Sequence, residues 1–360
     1  MQTFKKTIFL LTPKEAKQLA SIFVMVTIMA FLDLIGVASI LPFVAVLSDP
    51  SLVETNTYLN LAFTTSNGFG IETKQNFLIF LGILVFILLI FSIIFKALTT
   101  YVQLRFTQMI EYRVGKRLVE GYLHQPYSWF LSRHSAELGK TILSEVAQVI
   151  GYAMKPLIEL ITRSIIIIAL LILLAIVSLK ITLIIGLLFG LAYLLIFTFA
   201  KKLLNKFGKD RFKSNELRFT NISEAFGAIK EIKVGGLEQT YIKSFSNSAQ
   251  IYAKTTANVQ IISQLPRFIL EIITFGSILF LILYNLSLND DFISFLPIIS
   301  LYIFAGYRLM PAFQQLYAAF SQLAFIGPSL DKLYYELKSL QPLVKYEKPK
   351  LLKLNKSICL

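Results

Sequence analysis

The sequence predicts an all-α polytopic membrane protein with six transmembrane helices and long cytoplasmic extensions. Three observations carry that reading. Apolar residues make up 56% of the chain and the mean hydropathy is +0.68. Charged residues fall to 16%, against about 25% in soluble domains. Apolar stretches of roughly 17–25 residues, the length that crosses a bilayer, recur along the chain. Lys and Arg then fall on alternate connections between those stretches, as they do where basic loops stay in the cytoplasm.

The elements follow in order. Thr12-Pro13-Lys14-Glu15 fits a capping box, with Thr as N-cap, Pro at the first helical position and Glu at the third. It is expected to start an interfacial helix leading into span one, 20–47. That run is too long for a cleaved signal peptide and is interrupted by Asp33. In the connection 48–75, Leu52, Tyr58, Leu59, Leu61, Ala62 and Phe63 suggest a short helix on the outer surface, ended by Gly68 and Gly70. Span two is 77–95. Spans three and four, 164–179 and 181–200, are separated by Lys180 alone. One unbroken helix there would be roughly 55 Å long, beyond the hydrocarbon thickness, so a hairpin with Lys180 near its tip is expected. Spans five and six are 268–286 and 292–309.

Two connections, after spans two and four, are each roughly 65 residues long, far beyond the usual 2–8 between helices. They hold few Gly or Pro and keep an apolar periodicity: Leu217, Ile222, Ala225, Ile229, Ile232, Leu237 and Tyr241 recur at mostly three- to five-residue steps. Membrane helices are therefore expected to continue about 25 residues past the bilayer and to turn through short transverse helices. Pro126 marks one turn, followed by Tyr127, Trp129 and Phe130 beside Arg133 and His134. The other precedes the Gly235-Gly236 break and gathers Phe226, Ile229 and Ile232. Such clusters need either a partner or the neighbouring helix to cover them.

Net charge is +14. It tracks sidedness: both long connections (the first with Lys140 and the second with Arg211 among their basic residues), the N-terminal stretch and the C-terminal stretch are basic, whereas the other three connections offer only Lys74 and Lys180. Both termini are thus expected inside, and merging spans three and four would break the alternation. Nucleic-acid binding is not needed to explain the charge. Two histidines, His124 and His134, and one cysteine, Cys359, leave no basis for a metal cluster or an intrachain disulfide. The composition excludes a soluble enzyme.

Six spans, two long basic excursions and a C-terminal exit toward a strand-like 356–360 together resemble the transmembrane half of an ABC exporter, the type 1 transmembrane-domain fold. Glu216-Leu217 and Ala225 through Lys233 are similar to the family's second coupling-helix region. Tyr307-Arg308-Leu309-Met310-Pro311-Ala312-Phe313, Gly327-Pro328-Ser329-Leu330, Gln264 through Phe268 with Glu271, Asp33 with Gly36, and Pro42-Phe43 resemble bacterial lipid-linked oligosaccharide flippases. The resemblance implies a homodimer in the bacterial inner membrane, alternating access, and ATP with Mg in a nucleotide-binding domain, in cis or as a separate subunit. It implies a lipid-like substrate, with a peptide, drug or lipid exporter, or a motorless membrane subunit, as the alternatives. The division expected is an N-terminal interfacial helix at 1–19, the transmembrane domain at 20–335, and a linker with the start of the nucleotide-binding domain at 336–360. No G-x-x-x-x-G-K-[ST] phosphate loop occurs in the sequence, so no catalysis is expected from this chain and ATP hydrolysis would belong to that further domain. Tyr127, Trp129, Phe130, Phe226, Ile229 and Ile232 would couple to it.

Charged groups in apolar spans are costly and mark partners or cavities. Asp33, Lys96, Arg163, Arg267, Glu271 and Arg308 are the candidates. Arg163 sits at a span boundary and is expected to snorkel to headgroups. Arg267 and Glu271 stand four apart, so a local pair competes with a substrate role. Asp33 lacks a sequence-local partner, which favours an interhelical pair. Arg308 has no acidic residue within four positions and is the leading candidate for substrate contact, with structural pairing as the alternative. If the substrate carries a pyrophosphate, Lys96, Arg267 and Arg308 would form a cationic patch in the cavity, the Arg forks bonding phosphate oxygens bidentately.

Overall fold

A computed structural model describes residues 2–66, 73–287 and 292–340, and all regular structure among them is helical. The linker 343–355, the strand-like 356–360 with Cys359, and Gly68 and Gly70 lie outside the described residues. A short helix α1 (Gln2–Phe9) precedes α2 (Pro13–Ala38). The capping box is formed: the Thr12 backbone N–H donates to Glu15 Oε2 at 2.6 Å and the Glu15 N–H to Thr12 Oγ1 at 3.4 Å. The helix it opens runs without a break into the first apolar stretch. That stretch is not one helix, however, because the chain breaks at Ser39 and restarts as α3 (Ile40–Ser48). Pro42 accounts for the break, since it lacks an N–H and its ring crowds the carbonyl four residues earlier, that of Ala38.

The outer connection forms two short helices, α4 (Leu52–Thr55) and α5 (Thr57–Ser66), rather than one. Asn56 parts them, its side-chain oxygen accepting the N–H of Tyr58 at 3.0 Å. Next, α6 (Lys74–Leu123) holds span two and its excursion in 50 residues. At about 1.5 Å per residue it is roughly 75 Å long, more than twice the hydrocarbon thickness. Pro126 turns the chain into α7 (Tyr127–Leu131), and α8 (Ser135–Lys140) starts the return. The return passes through two π-helical turns, Thr141–Glu145 and Ile150–Met154, which flank α9 (Val146–Val149), and enters α10 (Lys155–Val177).

The expected hairpin is present, with Ser178 as its extended residue and Lys180 in the first turn of α11 (Leu179–Gly227). The Ser178 carbonyl accepts the Tyr302 hydroxyl at 3.1 Å and the Thr182 hydroxyl at 2.8 Å, so the exposed helix end is not left bare. The second excursion turns through α12 (Ile229–Gly235), which ends on Gly236 at φ 63°, a left-handed residue that favours glycine. Then α13 (Glu238–Ser287) returns, α14 (Phe292–Phe325) carries span six, and α15 (Gly327–Ser339) follows. By length and composition three helical stretches among the described residues can cross a membrane: Pro13–Ser48, Lys74–Leu123 and Ser135–Val177. The apolar runs 181–200, 268–286 and 292–309 lie on α11, α13 and α14.

The two largest apolar clusters among the described residues join several helices. The one at membrane depth packs α2, α10 and α14 through Met29, Ala30, Ile167, Leu170, Leu174, Leu301 and Ala305. In lipid such packing is driven by close van der Waals fit rather than by escape from water, and the small Ala30 and Ala305 suit close approach. The second lies beyond the spans, where Ile110, Val114, Leu118, Val149, Ile150, Ile326, Leu330 and Leu333 join α6, the π-helical return, and α15. The paired excursions α11 and α13 pack on each other and on α14.

A buried polar knot fixes this second core. Arg211 on α11 donates to Glu145 at 3.0 Å, and both side chains are 1% exposed. Its guanidinium also donates to Ser329 on α15, and Asn215 donates to the other Glu145 oxygen at 2.8 Å. One turn earlier on α11, a Cβ at Gly208 would overlap the Phe325 carbonyl oxygen. Lys140 and Arg211 were read from the sequence among cationic residues of aqueous connections; both are 1% exposed because helix packing closes over them. The first tip is tied to α15 separately, by Arg133 to Glu336 at 3.0 Å and Lys332 to Glu137 at 2.6 Å. Helix α1 clasps the far side of α15 through Lys6 and Asp331 at 2.7 Å.

Removing one partner of the buried pair leaves the other charge uncompensated, which typically costs about 3–5 kcal/mol. Arg211→Met is therefore expected to lower thermal stability in detergent strongly, and Arg211→Met with Glu145→Met to recover part of that loss. The tip clamp has a pH signature. Lys332, bonded to Glu137, holds that carboxyl below its ordinary value of 4.5, so the contribution is full above that value and is lost as pH falls through the folded pKa. Deuterium uptake across 132–140 should rise only in acid below that ordinary value, and uptake already high at neutral pH would contradict the clamp.

Candidate functional site

Four helices bring ionisable groups together within and at the ends of the spans. Asp33 comes from α2, Ser92 and Lys96 from one face of α6, Arg163 from α10 and Arg308 from α14. Asp33 Oδ1 accepts the Arg308 guanidinium at 2.5 Å and the Ser92 hydroxyl at 2.5 Å. The Asp33 side chain is 3% exposed and that of Arg308 16%. Lys96 has Asp33, Arg163 and Arg308 as its charged neighbours. Arg163 also has Glu159, one turn back on its own helix, in range. Among the described residues no carboxylate closes an ion pair with Lys96.

The expectation of an interhelical partner for Asp33 is met, and the partner is Arg308. For Arg308 the structural pairing left open as the alternative to a substrate role is formed: its acid lies 275 positions away on the first membrane helix. Arg267 does not join the cluster. It bonds Glu271 at 2.8 Å on its own exposed helix face, the local alternative that the four-residue spacing left open. Arg163, which the sequence assigned to snorkelling alone, stands beside the cluster, and sequence reasoning did not include it in the cationic patch. Two carboxylates, Asp33 and Glu159, thus face three cations, Lys96, Arg163 and Arg308. Such a surplus of positive charge in apolar spans is costly unless water or an anion reaches it.

The two tips divide into covered and open residues. In α7 the Trp129 ring lies 5.4 Å from Tyr122 and 5.0 Å from Phe130, with the Arg133 guanidinium 4.2 Å above it. Trp129 and Phe130 are half-buried, so much of this cluster is covered by the chain itself, while Tyr127 is 78% exposed. In the second tip Ile232 is buried, Ile229 is exposed, and Phe226 is 72% exposed. Phe226 and Ile229 open onto an apolar groove of about 380 Å³, bounded also by Ala225, Tyr241 and Phe245. Phe245 was not singled out by the sequence, where only its three- to five-residue spacing from Tyr241 hinted at it.

With this geometry in place, a comparison with known families adds one finding. Residues 40–312 match the family model described as the ABC transporter transmembrane region. The match takes in the charge cluster from Ser92 to Arg308 and both tips; Asp33 lies before it.

The two ion pairs in the apolar helices should differ sharply in stability experiments. Asp33→Ala leaves Arg308 uncompensated in a closed setting and is expected to cost about 3–5 kcal/mol. Arg267→Ala removes an i,i+4 pair at the start of span five that ties no second helix, and is expected to cost less. Equal losses of thermal stability in the same detergent would overturn the assignment of the first pair as buried.

Proposed function

The chain belongs to the ABC transporter transmembrane-region family, and from that premise we propose that it is the membrane half of an ATP-driven exporter or flippase for an anionic amphiphile, with a lipid-linked oligosaccharide as the leading substrate. The observation that carries this reading is that Asp33 and Arg308 pair with each other while Lys96, beside them at the end of span two, closes no ion pair among the described residues. Asp33 engages Arg308, so Lys96 is the cation best placed to meet a substrate phosphate, and Arg308 can add its remaining donors. Arg267, already held by Glu271, has the smaller part.

A second copy of the chain would complete the pathway, and a nucleotide-binding domain, in cis or as a separate subunit, would supply ATP and Mg chemistry. The reading places the protein in the bacterial inner membrane with both termini and both tips cytoplasmic, as the distribution of Lys and Arg favours. The open residues Tyr127, Phe226 and Ile229 are the proposed contacts to the motor. Trp129, Phe130 and Ile232 shape the tips from within, which favours an indirect role for them in coupling. The transmembrane domain would span 20–335, and α15 would carry motion between it and the motor.

The test is transport by the complex reconstituted with its nucleotide-binding partner. Lys96→Gln should lower flipping of a pyrophosphate-linked lipid about tenfold, the scale expected for one charge-assisted hydrogen bond, while basal ATP hydrolysis is kept. Tyr127→Ala with Phe226→Ala should leave nucleotide binding intact and separate hydrolysis from transport. Undiminished flipping in Lys96→Gln would remove the anionic-substrate reading, and retained coupling in the tip variant would remove the contact assignment.

A further inference from the structure

A polar pocket of about 190 Å³ lies between α6 and α10 and shares only Arg163 with the cluster described above. Gln103 and Thr107 line it from α6, and Lys155, Glu159, Thr162 and Arg163 from α10. The Gln103 side-chain amide donates to the Thr162 hydroxyl at 3.3 Å, which joins the two walls. Lys155, Glu159 and Arg163 are spaced four apart on one helix face, yet among the described residues none of them closes an ion pair. The Arg163 Nε is buried and has no hydrogen-bond partner. A buried donor without an acceptor is costly, so a site that keeps one is poised for a ligand that accepts. Two cations against one carboxylate give the pocket a positive surplus.

Depth indicates what kind of acceptor arrives. The apolar run on α6 ends at Phe95 and that on α10 begins at Ser164. Arg163 and Glu159 therefore stand within about 8 Å of the hydrocarbon edge at helical rise. The headgroup layer is about 5–8 Å thick on each side. The geometry points to a phosphate-binding site in the α6–α10 pocket, with the Arg163 guanidinium and the Lys155 ammonium as donors. The phosphate is that of a lipid headgroup or a free anion; the chemistry of recognition is shared. The site does not depend on which substrate is transported.

The experiment uses the purified full chain in phosphatidylcholine nanodiscs. In one arm a minor fraction of phosphatidylglycerol is added and native mass spectrometry measures how much of it stays bound. In the other, inorganic phosphate is added without the anionic lipid and the shift in thermal unfolding is read. Arg163→Gln and the exposed Lys155→Gln should each reduce the response about tenfold, and Arg105→Gln, an equal charge change at an exposed α6 position near the same depth, should leave it unchanged. A response confined to the first arm identifies the lipid, and one confined to the second identifies the free anion. No response in either arm, or equal loss in Arg105→Gln, overturns the proposal. Because Lys155 is exposed, its variant tests the site even where Arg163→Gln fails to fold.

Discussion

The structure beyond the spans depends on one buried guanidinium. Arg211 joins Glu145 on the return from the first excursion to Ser329 at the head of α15, and so ties together the extensions of three membrane helices. Removing two such charges from water costs several kcal/mol per ion, and attraction in a low-dielectric interior offsets this only where the geometry is good and spare oxygens are bonded. Asn215 bonds the second Glu145 oxygen, while the Arg211 Nε and Nη1 donors stay buried without a partner. The π-helical turn Thr141–Glu145 ends on the carboxylate of the knot, and Gly208 lets α11 approach the end of α14 closely enough for the guanidinium to reach. An alternative register of these helices would strand a charge, so the knot selects one packing more than it adds net stability.

Inside the spans the same rule acts with less freedom. Asp33 is acceptable at membrane depth because Arg308 and Ser92 bond it from two other helices. Those bonds fix α2, α6 and α14 against one another at the level where Lys96 and Arg163 bring further positive charge. A substrate phosphate entering there would meet groups already held in place, which lowers the cost of ordering them. The tips follow the complementary logic. Trp129 is spent on internal packing against Tyr122 and Arg133, while Tyr127 and Phe226 remain open for a partner.

Much of this was legible along the chain. The capping box at Thr12 to Glu15 depends on four consecutive residues and is formed as read. The hairpin between spans three and four followed from length and charge alternation, and the second tip from the glycine pair. The break at Ser39 and the split of the outer helix at Asn56 were missed, although Pro42 and the Asn56 side chain carried local signals for both. The π-helical turns had no such signal, because their phase is set by what the return helix packs against. Arg308 was judged by its neighbours in sequence, and its acid is on the first membrane helix. Lys140 and Arg211 resembled solvated charges, since composition cannot distinguish a basic residue in water from one enclosed by three helices.

The sequence by itself determined the membrane class, the positions of the apolar runs, the excursions and the family resemblance. These rest on hydropathy, charge sidedness and local turn chemistry, whose range is a few residues or one span. The tertiary structure alone decided which charges are spent on one another and which stay available. Arg267 is taken by Glu271 and Arg308 by Asp33, while among the described residues Lys96 and Arg163 close no ion pair. The physical reason is that a charge's partner in an apolar medium is set by helix packing, which brings together residues hundreds of positions apart and which no local pattern encodes.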